Sequence, residues 1–192
     1  MRPLSVALLT TTLLAAAALP GCANVGTVLG AVLENRIAIS PMQLQGQLDR
    51  RFPRDYRKGG GLVDLRVMHP RLSIVPGTTR LRIDFDVGVG ALGHVPDNPS
   101  GHFAVSSGIR FDMQRMGLML DTPSVDTVDV PALGGLGSQL RPALTQWVQD
   151  YSRDEAVYTL DSGFRERLGN RHVDSAVIEG GKVVVNLAPG AQ

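Results

Sequence analysis

The stretch LRIDFDVGV at residues 81–89 alternates apolar and polar residues from Leu81 to Val87, and Gly88 takes the next polar position. Successive side chains of a β-strand point to opposite faces, so this period of two predicts a strand with one buried face. The same period recurs between 62 and 130, interrupted by a Pro76-Gly77 turn, a polar loop at 93–101 and a turn at 113–117. The sequence therefore predicts an antiparallel meander with strands at 63–67 resuming at 72–74, at 81–89, at 103–111 and at 118–130.

A short strand at 35–39 and a helix at 41–51 are predicted before the meander. Ser40, Pro41 and Gln43 provide an N-cap, a first-turn proline and the third residue of a capping box. The apolar positions of this helix are Met42, Leu44, Leu48 and Phe52. The charged and then glycine-rich segment 54–61 is predicted to be a loop.

One long amphipathic helix is predicted after the meander, over 132–151. Its apolar positions recur every three or four residues: Leu133, Leu136, Leu140, Leu144, Trp147, Val148 and Tyr151. Pro142 either kinks this helix or begins its second half. A strand at 156–160, a turn of helix at 163–168 and a hairpin at 171–187 complete an α+β fold, which we expect to be one domain over 35–192.

The first 21 residues are typical of a bacterial export signal. Arg2 is their only charge, Leu4 to Leu19 is an uncharged run, and Leu19-Pro20-Gly21 precedes Cys22. These residues resemble a lipobox, in which the cysteine becomes the lipidated N-terminus of the mature protein. An ordinary signal peptide ending near a cysteine is the alternative. Residues 22–34 are then a lipidated tether, either helical or a plain linker.

The charge balance argues against nucleic-acid binding and against electrostatic docking on anionic lipid. Removal of Arg2 with the signal leaves 18 basic and 18 acidic residues. A net-neutral chain is not typical of nucleic-acid binders, and it has no basic surplus for docking on anionic lipid. We therefore expect palmitate and the other acyl chains on Cys22 to provide the membrane attachment. Ala23, where Asp would retain the protein at the inner membrane of enteric bacteria, favours the periplasmic side of the outer membrane.

No residue pattern indicates an enzyme, a cofactor or a metal site. The four histidines lack metal-ligand spacing, and Cys22 is the only cysteine. His94 and His102 flank one loop but are most simply solvated, as are Asp84 and Asp86 on the polar face of a strand. The glycine-rich segment 134–138 lacks the Lys-Ser/Thr of a phosphate-binding loop.

The order of these elements resembles the YceB-like family of small Gram-negative lipoproteins, which are largely of unknown function. The matching stretches are Ile39-Ser40-Pro41-Met42-Gln43-Leu44, Leu136 to Tyr151, and Ala156 to Leu160. That family is similar to the TULIP (tubular lipid-binding) proteins. The resemblance implies a curved antiparallel meander wrapped around one long helix, with an apolar channel between them. The loop at 93–101 is then a local insertion.

Two functions follow as expectations. The first is binding of a lipid acyl chain, such as that of a fatty acid, or of another apolar ligand in a slot between helix and sheet. The residues expected to line that slot are Leu140, Leu144, Trp147 and Val148 on the helix, and Phe85, Val87, Phe103 and Phe111 on the sheet. Met113, Met116 and Met119 either line its mouth or belong to the core. The alternative is a non-enzymatic envelope adaptor with a closed core.

Overall fold

Two antiparallel sheets organise the computed structural model, which describes residues 35–58, 63–75, 77–92, 94–161, 163–164 and 168–189. The larger sheet has the order β2-β3-β4-β5-β6-β7 and the smaller one the order β1-β9-β8. The strands are β1 (Arg36–Ile39), β2 (Arg54–Lys58), β3 (Val63–Ile74), β4 (Leu81–Gly90), β5 (Gly101–Asp112), β6 (Gly117–Asp129), β7 (Tyr158–Thr159), β8 (Arg171–Glu179) and β9 (Lys182–Pro189). The predicted α+β class and the antiparallel meander are confirmed.

Strand β4 shows why the alternating pattern folds in this way. Leu81, Ile83, Phe85 and Val87 are buried, whereas the polar residues between them are half-buried on the opposite face. Phe85 lies directly opposite Phe103 of β5. This register keeps both phenylalanines in the core. Their burial is favourable because apolar area removed from water stabilises the fold by roughly 25 cal/mol per Å².

The predicted pause at Pro70 is an irregularity within one strand rather than a break. The pairing of β3 with β4 shifts between Met68 and Arg71, and His69 adopts a positive φ of 48°. A proline cannot donate to the ladder, which confines it to strand edges and bulges. The edge of β3 is open here, because β2 pairs with it only as far as Val67.

The segment at 54–61 corrects one prediction. Arg54–Lys58 is the strand β2 and not a loop; it pairs antiparallel with 63–67 of β3. Four of its five residues are charged, which concealed it from a reading of hydrophobic alternation. Charged side chains are common on edge strands because they oppose pairing with other chains.

Helix α1 (Pro41–Asp49) joins two distant strands of the larger sheet. Its capping box is present, with the Ser40 and Gln43 side chains each accepting a hydrogen bond from the other's backbone N–H. Gln45 donates to Pro70 O at 2.6 Å and accepts from Leu72 N at 2.7 Å. Gln47 makes the equivalent pair of hydrogen bonds with Thr159 of β7. The predicted helix is confirmed, although it ends at Asp49 rather than at residue 51.

The long helix predicted over 132–151 is wrong before Arg141. Pro131–Leu140 forms a 3₁₀ segment with a break at Gly134, whose φ is 52°, and helix α2 covers Arg141–Asp154. Pro142 occupies the first turn of α2, where its missing N–H costs no hydrogen bond. The glycines of 134–137 favour an irregular backbone over a helix. Pro142 therefore begins the α-helix, which was one of the two readings of the sequence.

The C-terminal part agrees with the predicted hairpin. Strands β8 and β9 meet at Gly180 and Gly181, both with positive φ, and β1 pairs with β9. The strand predicted at 156–160 is shorter, since only Tyr158–Thr159 pairs with β6. Of the helical turn predicted at 163–168, residues 163, 164 and 168 are helical, and 165–167 lie outside the described residues.

Both sheets and both helices contribute to one hydrophobic core. Leu44 and Leu48 of α1, Leu144 of α2 and Val183 and Val185 of β9 are all fully buried within it. The division that makes 35–192 a single domain stays a prediction. The proposed signal 1–21, Cys22 and the tether 22–34 lie outside the described residues.

Candidate functional site: the aromatic cluster and the depression beside it

The structure brings together the eight side chains expected to line a slot. Seven are buried members of the core, and Phe111 is half-buried and packed against it. The seven are Leu140, Leu144, Trp147 and Val148 from the 3₁₀ segment and α2, and Phe85, Val87 and Phe103 from β4 and β5. Helix α2 thus faces the strands that the sequence predicted it to face.

The rings at the centre of this group fill the space between helix and sheet. Trp147 meets Phe85 and Phe103 edge-on, with ring centroids 5.5 and 5.7 Å apart. Phe85 and Phe103 are stacked at 5.1 Å, and Trp147 is stacked on Tyr151 at 5.5 Å. These are the favourable geometries for aromatic pairs, worth about 0.5–1.5 kcal/mol each beyond the area they bury. The predicted slot is therefore occupied by the protein's own side chains.

Phe52 completes the cluster and was not among the expected site residues. Its ring lies 5.3 Å from that of Phe85, 5.9 Å from that of Tyr151 and 6.4 Å from that of Trp147. The sequence marked Phe52 only as the last apolar position of the N-terminal helix. Its role depends on the turn after α1, in which Phe52 N donates to Leu48 O and the ring meets Phe85 of β4. We use "aromatic cluster" for Phe52, Phe85, Phe103, Trp147 and Tyr151.

A surface depression of about 310 Å³ lies on the outer side of Phe52. It follows the edge of β3 beyond the end of β2. Its lining combines apolar and charged residues: Asp49, Phe52, Pro53, Arg66, Met68, His69, Pro70 and Asp97. Phe52 is half-buried: its ring contacts the aromatic cluster, and the same residue lines the depression.

A second depression, of about 270 Å³, shares Arg66 and Asp97 with the first. Arg66 forms a two-pronged ion pair with Asp55, at 2.6 and 3.0 Å, and also pairs with Asp97. The Arg66 guanidinium lowers the pKa of Asp55. Arg66 therefore neutralises part of the negative charge that Asp55 and Asp97 bring to the second depression.

Part of the predicted loop at 93–101 borders these depressions: His94, Val95 and Asp97 line the second, and Asp97 also lines the first. A Cβ added at Gly90 would lie 1.9 Å from the carbonyl oxygen of His94, and one at Gly88 would lie 2.9 Å from that of Pro96. The loop therefore packs directly on the backbone of β4. This contact explains the two glycines at the end of an otherwise alternating strand.

Tyr151 gives the aromatic cluster a polar end. Its side chain is 6% exposed, and burial raises the pKa of its hydroxyl to about 12. The charge of Arg51 opposes that shift, and the charge of Glu155 adds to it. The Arg51 guanidinium donates to the carbonyl oxygen of Ala156 and to Thr159 Oγ1. Arg51 also acts on the hydroxyl of Tyr151 as a hydrogen-bond donor, although no hydrogen bond of normal geometry is formed among the described residues.

The other residues weighed in the sequence have ordinary surroundings. Met113 is exposed, Met116 packs against the core and Met119 is buried, so they do not form one surface. Asp84 and Asp86 pair with Arg82 and Arg71 on the polar face. His94 borders the second depression, and His102 lies 3.8 Å from Asp129. Within the described ranges, no three His, Cys, Asp or Glu residues are placed to hold a metal ion.

Two further findings concern the helices and the relatives of the chain. Neither α1 nor α2, nor any other helix in the part of the chain that the structure describes, is long and apolar enough to cross a membrane. Comparison with models of known protein families and with curated proteins finds no match.

Proposed function

We propose that the protein is an outer-membrane lipoprotein facing the periplasm, whose domain binds a lipid acyl chain or another apolar ligand. Acyl chains on Cys22 attach it to the membrane, and the domain is a TULIP-like fold with a curved sheet. The double attachment of α1 to β3 and β7 supports the curvature. These strands are four places apart in the sheet order, about 19 Å in a flat sheet, yet Gln45 and Gln47 reach both.

The position of Phe52 is the observation that carries the ligand-binding proposal. Its ring contacts three members of the aromatic cluster, and the same residue lines a depression of about 310 Å³. Rotation of Phe52 outward would connect the depression with the space around Trp147. Ligand pockets commonly measure about 300–1,000 Å³, so the depression and the vacated ring volume together suit an acyl chain.

The ligand would then replace contacts that the protein makes with itself. In the closed state Phe52 fills the entrance, and a bound acyl chain would take over its contacts with Phe85 and Trp147. A ligand shifts such an equilibrium only by its preference for the open state. The binding energy of the chain must therefore exceed the cost of exposing the ring, which favours long chains over short ones.

The test uses the mature chain with Cys22→Ser, purified without detergent. Native mass spectrometry is expected to show co-purified lipid, and titration with a long-chain fatty acid is expected to shift the emission of Trp147, the only tryptophan. Phe52→Ala is expected to accelerate uptake of the fatty acid because it removes the ring from the entrance. Leu92→Ala, at a side chain that is 86% exposed, is the matched control. An emission that never moves, with no lipid in the spectrum, rejects the proposal.

The close ring packing around Trp147 favours a second candidate, a non-enzymatic envelope adaptor with a closed core. An adaptor needs no entrance, so Phe52→Ala would only destabilise it. This candidate predicts an unchanged Trp147 emission with every fatty acid. It also predicts a specific protein neighbour that crosslinks in the periplasm to the lipidated wild-type chain.

A further inference from the structure

The hydroxyl of Tyr151 is a polar group in an apolar cluster. Its oxygen is inaccessible to water. The Arg51 guanidinium is close enough to act on it as a donor, but the oxygen makes no hydrogen bond of normal geometry within the described residues. Buried polar groups are nearly always hydrogen-bonded, and each exception calls for a reason. A phenylalanine would fill the same space and stack on Trp147 without this cost. The hydroxyl is therefore not explained by packing.

The surroundings of the hydroxyl carry a net positive charge. Arg51, Arg54 and Glu155 are the charged groups that act on it. Arg54 pairs with Glu155 at 3.2 Å, while Arg51 approaches the same carboxylate only to 3.9 Å. Two guanidinium groups therefore share one carboxylate. All three side chains are partly exposed, so an anion from solvent can reach them.

Phe52 links these groups to the entrance, although none of them lines the depression itself. Phe52 is the neighbour of Arg51 in the chain, and its ring is 5.9 Å from that of Tyr151. An amphiphile that displaced Phe52 would place its apolar chain against Phe85 and Trp147. Its head group would then be left beside Tyr151 and the two arginines.

We propose that Tyr151, Arg51 and Arg54 form a subsite for the carboxylate of a long-chain fatty acid. The Tyr151 hydroxyl donates a hydrogen bond to the carboxylate, and Arg54 exchanges the carboxylate of Glu155 for that of the ligand. Arg51 keeps its bonds to Ala156 and Thr159 and contributes its charge. This subsite rests on the proposed apolar-ligand function and specifies its ligand as anionic.

The choice of a carboxylate follows from hydrogen-bond chemistry. The phenol must donate, because arginines offer no acceptor. Carboxylates accept up to four hydrogen bonds and pair well with guanidinium groups. A hydrogen bond to a charged acceptor is about twice as strong as one between neutral groups. A fatty acid should therefore bind more tightly than the alcohol of equal chain length.

The experiment compares a fatty acid with its matched fatty alcohol, using Trp147 emission in the mature Cys22→Ser chain. Wild type is expected to have an affinity for the acid at least about tenfold higher than its affinity for the alcohol. Tyr151→Phe is expected to weaken binding of the acid about tenfold and binding of the alcohol only a few-fold. The hydrogen bond that the tyrosine donates to a charged carboxylate is stronger than the one it donates to a neutral hydroxyl. Glu155→Gln is expected to tighten the acid by removing its competitor. Tyr158→Phe, which removes a hydroxyl from half-buried β7, is the control.

The outcomes separate this subsite from the function on which it rests. Equal affinity for acid and alcohol, or unchanged affinity of Tyr151→Phe for the acid, overturns the subsite and leaves apolar-ligand binding intact. Absence of binding by both amphiphiles overturns the proposed function and the subsite with it. Urea unfolding of Tyr151→Phe provides the structural check: a midpoint at or above that of wild type, combined with weaker binding of the acid, supports the subsite.

Discussion

The side-chain amide of Gln47 exchanges two hydrogen bonds with the backbone of Thr159, each 2.9 Å long. The amide thus pairs with β7 as a neighbouring strand would, donating to the carbonyl and accepting from the N–H. Gln45, two residues earlier, does the same with the open edge of β3. Through these two residues, a helix of nine residues holds together strands that are four places apart in the sheet.

The Gln47→Glu substitution is expected to destabilise the fold by about 1–3 kcal/mol, because a carboxylate cannot donate to the carbonyl of Thr159 and leaves it unpaired. Urea unfolding followed by Trp147 fluorescence measures the loss. Gln149→Glu makes the same chemical change at an exposed position of α2 and should alter stability by only a few tenths of a kcal/mol. Equal effects of the two substitutions would contradict the role assigned to Gln47.

Much of this fold could be predicted because its local signals agree with one another. The capping box of α1 and the alternation of β4 both operate over a few residues, where propensity and burial favour the same structure. Strand β2 escaped prediction because a charged edge strand has no hydrophobic period. The start of α2 was misplaced because apolar spacing continues through 133–140, whereas the glycines there determine the backbone.

The candidate site was predictable only in part, for a related reason. The sequence identified Trp147, Phe85 and Phe103 because each lies on the apolar face of its own element. Phe52 and Tyr151 are equally apolar in pattern, and only the fold shows that one borders a depression and that the other buries a hydroxyl. Both are tertiary facts that residue spacing does not encode.

Replacement of Phe103 by Ala is expected to cost about 3–5 kcal/mol, since it removes a fully buried ring that contacts both Phe85 and Trp147 and leaves a cavity. Thermal or urea unfolding measures this loss. Leu92→Ala, at an exposed position, is expected to leave the midpoint within experimental error. A loss below about 1 kcal/mol for Phe103→Ala would mean that the cluster is loosely packed.

Asp86 is expected to make the protein sensitive to acid. Hydrogen bonds from Arg71, at 2.9 Å, and from His69, at 3.0 Å, hold the pKa of Asp86 below its ordinary value. A carboxyl with a lowered pKa stabilises the fold above its unfolded pKa of about 4, and this contribution disappears as the pH falls through the folded pKa. Asp86→Asn should therefore be less stable than wild type at neutral pH, with the difference shrinking in acid.

Urea unfolding at a series of pH values and constant salt measures that difference. The control is Asp174→Asn, at an exposed carboxyl of β8, which shows the effect of removing a negative charge elsewhere. The difference in stability between Asp86→Asn and wild type could instead stay constant from about pH 7 to about pH 3. That result would show that protonation of Asp86 does not control this part of the stability.

Tyr151 is expected to make the protein sensitive to alkali. Burial raises the pKa of its hydroxyl to about 12, so between about pH 10 and that value the folded state retains a proton that the unfolded state releases. Stability therefore falls as the pH rises above about 10. Tyr151→Phe should lose less stability over this range than wild type, as measured by urea midpoints. Parallel alkaline curves for the two proteins would show that the hydroxyl is more accessible than its burial indicates.

Cys22→Ser is expected to release the protein from the membrane, or to stall its processing, without unfolding the domain. The only thiol of the chain is the proposed lipid attachment point, and a net-neutral domain offers no basic patch that would retain it on anionic lipid. Fractionation of cells and incorporation of labelled palmitate measure attachment, while thermal unfolding measures the domain, whose described core begins at Ile39. Thr27→Ser, in the same segment, retains the cysteine and should remain in the membrane fraction with its label. If Cys22→Ser protein stays membrane-bound as fully as wild type, attachment does not depend on lipid at Cys22. The protein would then reach the membrane by other contacts, and the aromatic cluster would function beside a membrane held in that way.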